Sequence, residues 1–214
     1  MKFFLDTANL ADIKYWNDMG LVDGVTTNPS LIAKEGGSFK SIVRDICAIV
    51  EGPVSVEATS VDTLGILEEA RTYAQWSDNI VIKVPFIKEG VSALPVLRDE
   101  GIHTNTTLVF SANQALIAMK AGTSYVSPFI GRLDDIGHYG MEIVSEINDI
   151  KRNYSFKTEV IVASIRHSLH VLESARLGAD IATIPAGVLE KMFKHPLTDN
   201  GLERFLADWE AVEK

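Results

Sequence analysis

The chain lacks the features that tie a protein to membranes, nucleic acid or an oxidising compartment. It has one cysteine, Cys47, so no disulfide can form within it, and a reducing cytoplasm is expected. The formal net charge of -9 and the pI near 5.0 argue against binding to nucleic acid or anionic lipid. No apolar run approaches membrane-spanning length, and Asp6 interrupts the first one. Neither a membrane helix nor a signal peptide is therefore predicted.

Several catalytic and metal-binding motifs are also missing. No Gly-x-Ser-x-Gly elbow is present. His167 and His170 are three residues apart and have no third ligand within reach in the sequence. Asp134, Asp135 and His138 are better explained as the start of a helix with acidic residues in its first turn than as ligands. Neither a metal nor an organic cofactor is predicted.

Short strand patterns alternate with helical patterns along the whole chain, and 46% of the residues are hydrophobic. Eight such β–α units predict a parallel sheet, and their number matches a closed (β/α)8 barrel forming one domain over residues 1–214. The alternative is an open doubly wound sheet, although no Gly-rich dinucleotide fingerprint follows any strand. The predicted strands are Phe3–Asp6, Gly24–Asn28, Val54–Glu57, Ile80–Val84, His103–Val109, Tyr125–Phe129, Glu159–Ala163 and Ile181–Pro185.

A ninth helical segment follows the eighth unit. Thr198–Val212 carries an apolar face at helical spacing, which either packs on its own barrel or docks on a neighbouring subunit. Pro95 is expected to bend or shorten the fourth helix. The eight helices between and after the strands are Asn9–Met19, Phe39–Val50, Val61–Trp76, residues 90–100, Ser111–Ala121, Ile136–Arg152, His167–Leu177 and Ala186–Lys194.

Lys83 is the most informative residue, because it lies in the apolar, β-branched fourth strand. Burying an ammonium is costly, so burial favours the neutral amine, which can attack a carbonyl carbon. Buried lysines are rare, and this one indicates an enzyme that forms a Schiff base. The alternative is a structural ion pair between Lys83 and a carboxylate.

Polar side chains end seven of the eight strands, whereas the eighth ends in the unremarkable Thr183–Pro185. Active sites of barrels lie at these carboxyl ends. Asp6 and Glu57 can shuttle protons, directly or through water. Arg132 and Arg166 could bind a phosphate, although surface salt bridges are the commoner fate of arginine. The other polar candidates are Thr107, which could hold a water between the carboxylates, and Asn28 and Asn105, whose amides suit sugar hydroxyls.

The chain resembles the transaldolase family, in particular its short-chain branch, which also contains fructose-6-phosphate aldolases. The resemblance covers essentially the whole chain and implies a (β/α)8 barrel whose Schiff-base lysine lies on strand four, as Lys83 does. The matching segments are Phe4-Leu5-Asp6-Thr7-Ala8, Gly24-Val25-Thr26-Thr27-Asn28-Pro29-Ser30, Val54-Ser55-Val56-Glu57, Ile82-Lys83-Val84-Pro85, Asn105-Thr106-Thr107-Leu108-Val109-Phe110-Ser111 and Ser127-Pro128-Phe129-Ile130-Gly131-Arg132-Leu133-Asp134-Asp135.

This resemblance implies a role for each candidate residue. Asp6 would exchange the proton of the substrate C4 hydroxyl, while Glu57 and Thr107 would hold the water used in imine formation and hydrolysis. The implied binding residues are Asn28, Asn105 and Ser127 for the hydroxyls of the dihydroxyacetone unit, and Arg132, Ser164 and Arg166 for the substrate phosphate.

Two positions favour a transferase over an aldolase. The aldolases of the family carry Gln where this chain has Glu57 and Tyr where it has Phe129. A tyrosine hydroxyl could protonate the bound carbanion, whereas phenylalanine cannot, so the enamine would wait for an acceptor. An aldolase remains the alternative, and a non-catalytic sugar-phosphate binder is a further one. Short-chain relatives form decamers of pentameric rings, which implies a homo-oligomer with sugar phosphates as its small-molecule partners.

Overall fold

A computed structural model describes residues 1–212 and shows a closed barrel of eight parallel strands. The strands follow one another in chain order, and β8 pairs with β1 to close the barrel. The predicted (β/α)8 barrel is therefore confirmed, and an open doubly wound sheet is wrong. The strands are β1 (Lys2–Asp6), β2 (Gly24–Thr26), β3 (Val54–Glu57), β4 (Ile80–Pro85), β5 (Thr104–Val109), β6 (Tyr125–Pro128), β7 (Glu159–Val162) and β8 (Ile181–Ile184).

Helices connect the strands and surround the barrel. None of those in the described part of the chain is long and apolar enough to cross a membrane. They are α1 (Leu10–Asp18), α2 (Pro29–Glu35), α3 (Phe39–Ile49), α4 (Thr63–Ala74), α5 (Lys88–Asp99), α6 (Ala112–Ala121), α7 (Ile130–Asp135), α8 (Met141–Tyr154), α9 (Ser168–Arg176), α10 (Ala186–Met192) and α11 (Pro196–Glu210).

Local sequence explains where several helices begin and end. The side chains of Asn9, Asp62 and Ser111 each accept a hydrogen bond from a backbone N–H in the first turn of α1, α4 and α6. Gly122 ends α6 in the left-handed conformation, which glycine adopts without steric cost. Pro95 lies within α5, which nevertheless continues to Asp99, so the expected shortening does not occur.

The sequence patterns missed two short helices, and one of them corrects an interpretation. The helix predicted from Ile136 begins only at Met141, because residues 130–135 form α7 and a short loop follows. Asp134 therefore lies near the end of α7 rather than in the first turn of a helix. Its carboxylate accepts the Gly140 N–H, 2.8 Å away, and so holds the loop that enters α8.

Strand alternation separates two apolar regions and leaves the upper barrel interior polar. Outward-facing residues, such as Val56 and Ile82, pack with the helices in the main core. A smaller cluster of Phe4, Ile161 and Ile181 forms a separate core. Gly24 makes room for this cluster, since a Cβ there would lie 2.6 Å from the Phe4 ring. On the same face of β1 as Phe4, two residues further on, lies Asp6.

The apolar face of α11 does not pack on its own barrel. No residue of α11 is buried. Leu202, Phe205, Leu206 and Trp209 are between 57% and 74% exposed. Of the two arrangements considered for this helix, packing on its own barrel is therefore not the one adopted.

Candidate active site

A cavity of about 520 Å³ opens at the carboxyl ends of the strands. Every one of the eight strands, or the loop after it, contributes to its wall, as expected for the catalytic face of a barrel. Ten of the eleven predicted site residues line it: Asp6, Asn28, Glu57, Lys83, Thr107, Ser127, Phe129, Arg132, Ser164 and Arg166.

Lys83 lies on the wall of this cavity with its side chain only 7% exposed. Its Nζ donates to Glu57 Oε2 and to the backbone oxygen of Thr27, at 2.9 Å in both cases. Glu57 is the direct neighbour of Lys83 in the register of β3 and β4, so both side chains point to the same side of the sheet. The ion pair considered as an alternative is present, but it faces the cavity and leaves the amine beside a carboxylate that can take its proton.

Asp6 is enclosed by protein except for the part that faces the cavity. Burial raises the pKa of its carboxyl, while the Thr26 hydrogen bond and the charge of Lys83 oppose this rise. Thr26 Oγ1 donates to Asp6 Oδ1 at 2.9 Å, and the Thr183 hydroxyl lies 2.5 Å from Thr26 Oγ1. The two hydroxyls thus form a chain that ends on the carboxylate.

Thr107 presents an unsatisfied hydroxyl. Among the described residues, its Oγ1 is the buried side-chain polar atom that lacks a hydrogen-bond partner. A register shift in the β5–β6 pairing between Thr106 and Val109 falls here, and Leu108 adopts a φ of +59°. Such a bulge re-aims side chains at the end of a strand. Thr107 lines the same cavity as Lys83, and a role for its hydroxyl in holding water stays a prediction.

Asn105 is the one predicted site residue that does not line the cavity. It is fully buried, its amide donates to Ser55 Oγ at 3.3 Å, and its Oδ1 accepts from Ser127 Oγ at 2.7 Å. Asn105 therefore reaches the cavity through Ser127, and direct contact with a substrate hydroxyl stays a prediction. Asn28 caps α2 through its side-chain oxygen, which leaves its amide as the group available to a ligand.

Two arginines contribute to the cavity wall after β6 and β7. The Arg132 guanidinium lies 5.1 Å from the centre of the Phe129 ring, a distance typical of a cation–π contact. The Arg166 side chain is 53% exposed and donates to Asp135 Oδ2 at 2.9 Å, the surface salt bridge considered as its alternative. Both arginines nevertheless line the cavity, after β6 and β7, whereas Lys83 lies on β4, so we call these two parts of the cavity the arginine end and the Lys83 end.

The backbone between Arg132 and Arg166 is tightly packed. The Gly131 N–H donates to the Ser164 carbonyl at 3.1 Å, and a Cβ on Gly131 would lie 2.1 Å from that oxygen. Ser164 itself has a φ of +62°, a left-handed conformation that costs a non-glycine residue energy. Strain of this kind persists only where the surroundings hold it, as they do here.

Known proteins that are similar to this chain share one family and one name. The family described as Transaldolase/Fructose-6-phosphate aldolase matches residues 3–214. The chain belongs to the transaldolase/fructose-6-phosphate aldolase family. A "Probable transaldolase" of Methanococcus maripaludis is 61% identical over 211 residues, covering 99% of this chain and 98% of that protein. Another from Anaeromyxobacter is 58% identical over 214 residues and covers both chains completely. The resemblance stated from the sequence is confirmed.

A solved structure outside the family shares the barrel alone. The crystal structure of 3-hexulose-6-phosphate synthase superimposes with a TM-score of 0.63 over 86% of this chain and 90% of that one. Its sequence is only 13% identical, so the likeness concerns the fold and not the chemistry.

Some residues of this family member's site escaped the sequence patterns. The strand-end pattern does not single out Thr183, although its hydroxyl joins the chain that ends on Asp6. Thr26 occurs in the sequence only as part of a matching segment. Their position on one face of adjoining strands β2, β1 and β8 was a usable signal, because it follows from period-2 alternation. In the part of the chain that the structure describes, no three His, Cys, Asp or Glu residues could hold a metal.

Proposed function

We propose that the protein is a transaldolase, which moves a dihydroxyacetone unit from a ketose phosphate to an aldose phosphate through a Schiff base on Lys83. The observation that carries the proposal is the position of the Lys83 amine. It lies on the wall of the barrel-mouth cavity, 2.9 Å from the Glu57 carboxylate. An amine with an adjacent base is what nucleophilic attack on a ketone requires.

Imine formation uses the Lys83 end of the cavity. Glu57 takes a proton from the Lys83 ammonium, and the neutral amine attacks C2 of the ketose. The resulting carbinolamine loses water to give the iminium ion, and hydrolysis later reverses these steps. The Thr107 hydroxyl, which has no hydrogen-bond partner among residues 1–212, would hold the water that leaves and returns.

Carbon–carbon cleavage needs a base for the C4 hydroxyl of the donor, and Asp6 supplies it. Asp6 takes this proton, the C3–C4 bond breaks, and its electron pair moves to the iminium nitrogen to form an enamine. The aldose phosphate leaves. A carboxyl whose pKa is raised by burial is a stronger base than an exposed one, and the Thr26 hydroxyl holds it in place.

The enamine then attacks the acceptor rather than a proton. Phe129 borders the cavity and packs edge-on against Phe110, with 5.8 Å between ring centres. A phenyl ring has no proton to give to the enamine carbon. The acceptor aldehyde is therefore attacked, its oxygen takes the proton held by Asp6, and hydrolysis frees the new ketose phosphate.

Substrate binding divides along the cavity. Ser127 and Asn28 face the dihydroxyacetone unit, with Asn105 acting behind Ser127. Arg132, Arg166 and Ser164 form the end suited to a phosphate dianion, where a guanidinium can donate two parallel hydrogen bonds. A ketose phosphate would therefore bind with its reacting carbons at Lys83 and its phosphate at the arginines.

The decisive experiment measures glyceraldehyde 3-phosphate released from fructose 6-phosphate, with and without erythrose 4-phosphate. Sustained release only with the acceptor supports the transaldolase. Sustained release without it would identify a fructose-6-phosphate aldolase. If borohydride with fructose 6-phosphate trapped no adduct on Lys83, both enzymes would be excluded in favour of a sugar-phosphate binder.

We also propose that the protein is a homo-oligomer, with a decamer of pentameric rings as the expected form, and that it works in the cytoplasm in the pentose phosphate pathway. The exposed apolar face of α11 supports association, since monomers rarely expose such a patch. The single cysteine suits a reducing compartment. Light scattering of the full-length protein at micromolar concentration tests the assembly, and a monomer would exclude it.

A further inference from the structure

We propose that His170 is a positioning residue for the phosphate site, because it joins the two segments that carry Arg132 and Arg166. This inference rests on the proposed function, in which the two arginines bind the substrate phosphate. Neither the chemistry at Lys83 nor the family motifs involve this residue. Its side chain is 6% exposed and lies behind the cavity rather than in its wall.

Both ring nitrogens of His170 are engaged by groups on different segments. The backbone N–H of Arg166 donates to Nδ1 at 3.2 Å. On the other side, Nε2 lies 3.0 Å from Asp134 Oδ2. Asp134 is two residues from Arg132 on α7, and Arg166 follows β7. The imidazole thus bridges the helix that carries one arginine to the loop that carries the other.

The bridge fixes the tautomer of the ring. Nδ1 must be an acceptor because the Arg166 N–H points to it, so the proton of the neutral ring lies on Nε2 and is donated to Asp134. Asp134 in turn accepts the Gly140 N–H, which ties this arrangement to the start of α8. A second proton on the ring would lie on Nδ1 and oppose the Arg166 N–H.

The surroundings favour the neutral ring. Burial lowers the pKa of His170, and the neighbouring His167, whose ring centre is 3.8 Å away, lowers it further. Asp134 and Glu173 act in the opposite direction. The remaining titratable groups nearby are the Arg166 guanidinium, which pairs with the Asp135 carboxylate, and the neutral Tyr139 hydroxyl, which donates to Glu173.

The consequence is a pH dependence confined to the phosphate end. Above its pKa the ring accepts from Arg166 and holds the strained Ser164–Arg166 segment in place. As the pH falls through that pKa, protonation removes the acceptor and frees the segment from α7. Affinity for a phosphate-like anion then falls, while the groups around Lys83 keep their positions.

Two substitutions separate the two hydrogen bonds. In His170→Asn, the amide oxygen can take the place of Nδ1 and accept from Arg166, but it does not titrate. In His170→Gln, the longer amide can reach Asp134 but no longer accepts from Arg166. The control His167→Asn removes the neighbouring imidazole, which is exposed and makes no hydrogen bond to Arg166.

The test measures sulfate binding to the full chain by calorimetry between pH 5 and 8 (roughly the range in which histidine titrates), because sulfate keeps its charge there. We expect wild-type affinity to fall at acid pH, His170→Asn to abolish this fall, and His170→Gln to bind about 10-fold more weakly at every pH. In turnover assays, His170→Gln should raise KM for fructose 6-phosphate with little change in kcat.

The outcomes distinguish this inference from the proposed function. A pH dependence that persists in His170→Asn and disappears in His167→Asn would overturn the role of His170. Equal sulfate affinity in His170→Gln and wild type would also overturn it. Sulfate binding needs no turnover, so failure of the wild type to cleave fructose 6-phosphate or form an adduct would overturn the proposed function alone.

Discussion

The two ends of the cavity are built in different ways. At the Lys83 end, the functional side chains project from strands, Glu57 and Lys83 are direct neighbours in register, and the side chains are buried or half-buried. At the arginine end, they project from a six-residue helix, α7, and from the loop after β7, and they are exposed. The first end is held by the sheet, whereas the second depends on Gly131, the strained Ser164 and His170.

This difference in construction fits the function proposed for each end of the cavity. Proton transfer and attack on a carbonyl need atoms held to within a fraction of an ångström, which strands of a closed barrel provide. Binding a phosphate tolerates more movement of the side chains, because a guanidinium can donate hydrogen bonds to phosphate oxygens from several directions. We therefore expect substitutions at the Lys83 end to act on kcat and those at the arginine end to act on KM.

The largest effect is expected for Lys83→Met, which removes the nucleophile. Turnover should fall by about 10⁴-fold or more, and borohydride should no longer trap an adduct with fructose 6-phosphate. The exposed Lys120 provides a matched control, since Lys120→Met should leave both unchanged. Because Glu57 loses its partner in Lys83→Met, the double variant with Glu57→Gln tests whether the loss comes from chemistry or from stability. Normal turnover in Lys83→Met would eliminate the Schiff-base mechanism.

Asp6→Asn should be next in size and should separate catalysis from stability. Loss of the base for the C4 hydroxyl should lower kcat by about 10²- to 10⁴-fold. The carboxyl has a pKa raised by burial, so its stabilising protonated form is present at low pH and is lost as the pH rises through that pKa. At neutral pH the ionised group therefore costs stability, and Asp6→Asn should raise Tm there. If Asp6→Asn gave no gain in Tm between about pH 7 and 8, well above the ordinary pKa of an aspartate, the raised pKa of Asp6 would be contradicted.

The same contrast explains which parts were predictable from the sequence. The eight alternating units predict the barrel. The positions of Lys83, Glu57 and Asp6 in or at the ends of strands predict their place in the site, because side-chain alternation and barrel geometry together determine which residues face the cavity. Thr183 follows the same rule, but an uncharged threonine at a strand end does not by itself indicate a functional residue.

The arginine end was less predictable, for a physical reason. The sequence predicts Asp134 in the first turn of a helix, because acidic residues are common there. Its real partners, the Gly140 N–H and His170, depend on how a loop folds back over α7. The left-handed Ser164 is likewise imposed by tertiary packing and has no local sequence signal.

Arg166→Lys should give a smaller effect that acts on KM. A lysine keeps the charge but cannot donate two parallel hydrogen bonds, a loss of about 1.5–3 kcal/mol, or roughly 10- to 100-fold. We expect KM for fructose 6-phosphate to rise within that range and kcat to change little. The exposed Arg176 on α9 offers the control Arg176→Lys, which should leave both constants unchanged. A fall in kcat with constant KM would mean that the two ends do not work separately.

The smallest effect on stability is expected from a pair of neighbouring threonines on β5. Thr107 has a buried hydroxyl without a hydrogen-bond partner in the described part of the chain, whereas the buried Thr106 donates to Thr123 Oγ1 at 3.0 Å. Thr107→Val removes an unsatisfied polar atom and should raise the free energy of unfolding by about 1 kcal/mol while lowering turnover. Thr106→Val breaks a satisfied hydrogen bond on the opposite face of the strand and should lower that free energy by a similar amount while leaving turnover unchanged. Urea unfolding and the coupled assay measure both quantities. If both substitutions moved stability in the same direction, the Thr107 hydroxyl would not be held for function at the expense of the fold.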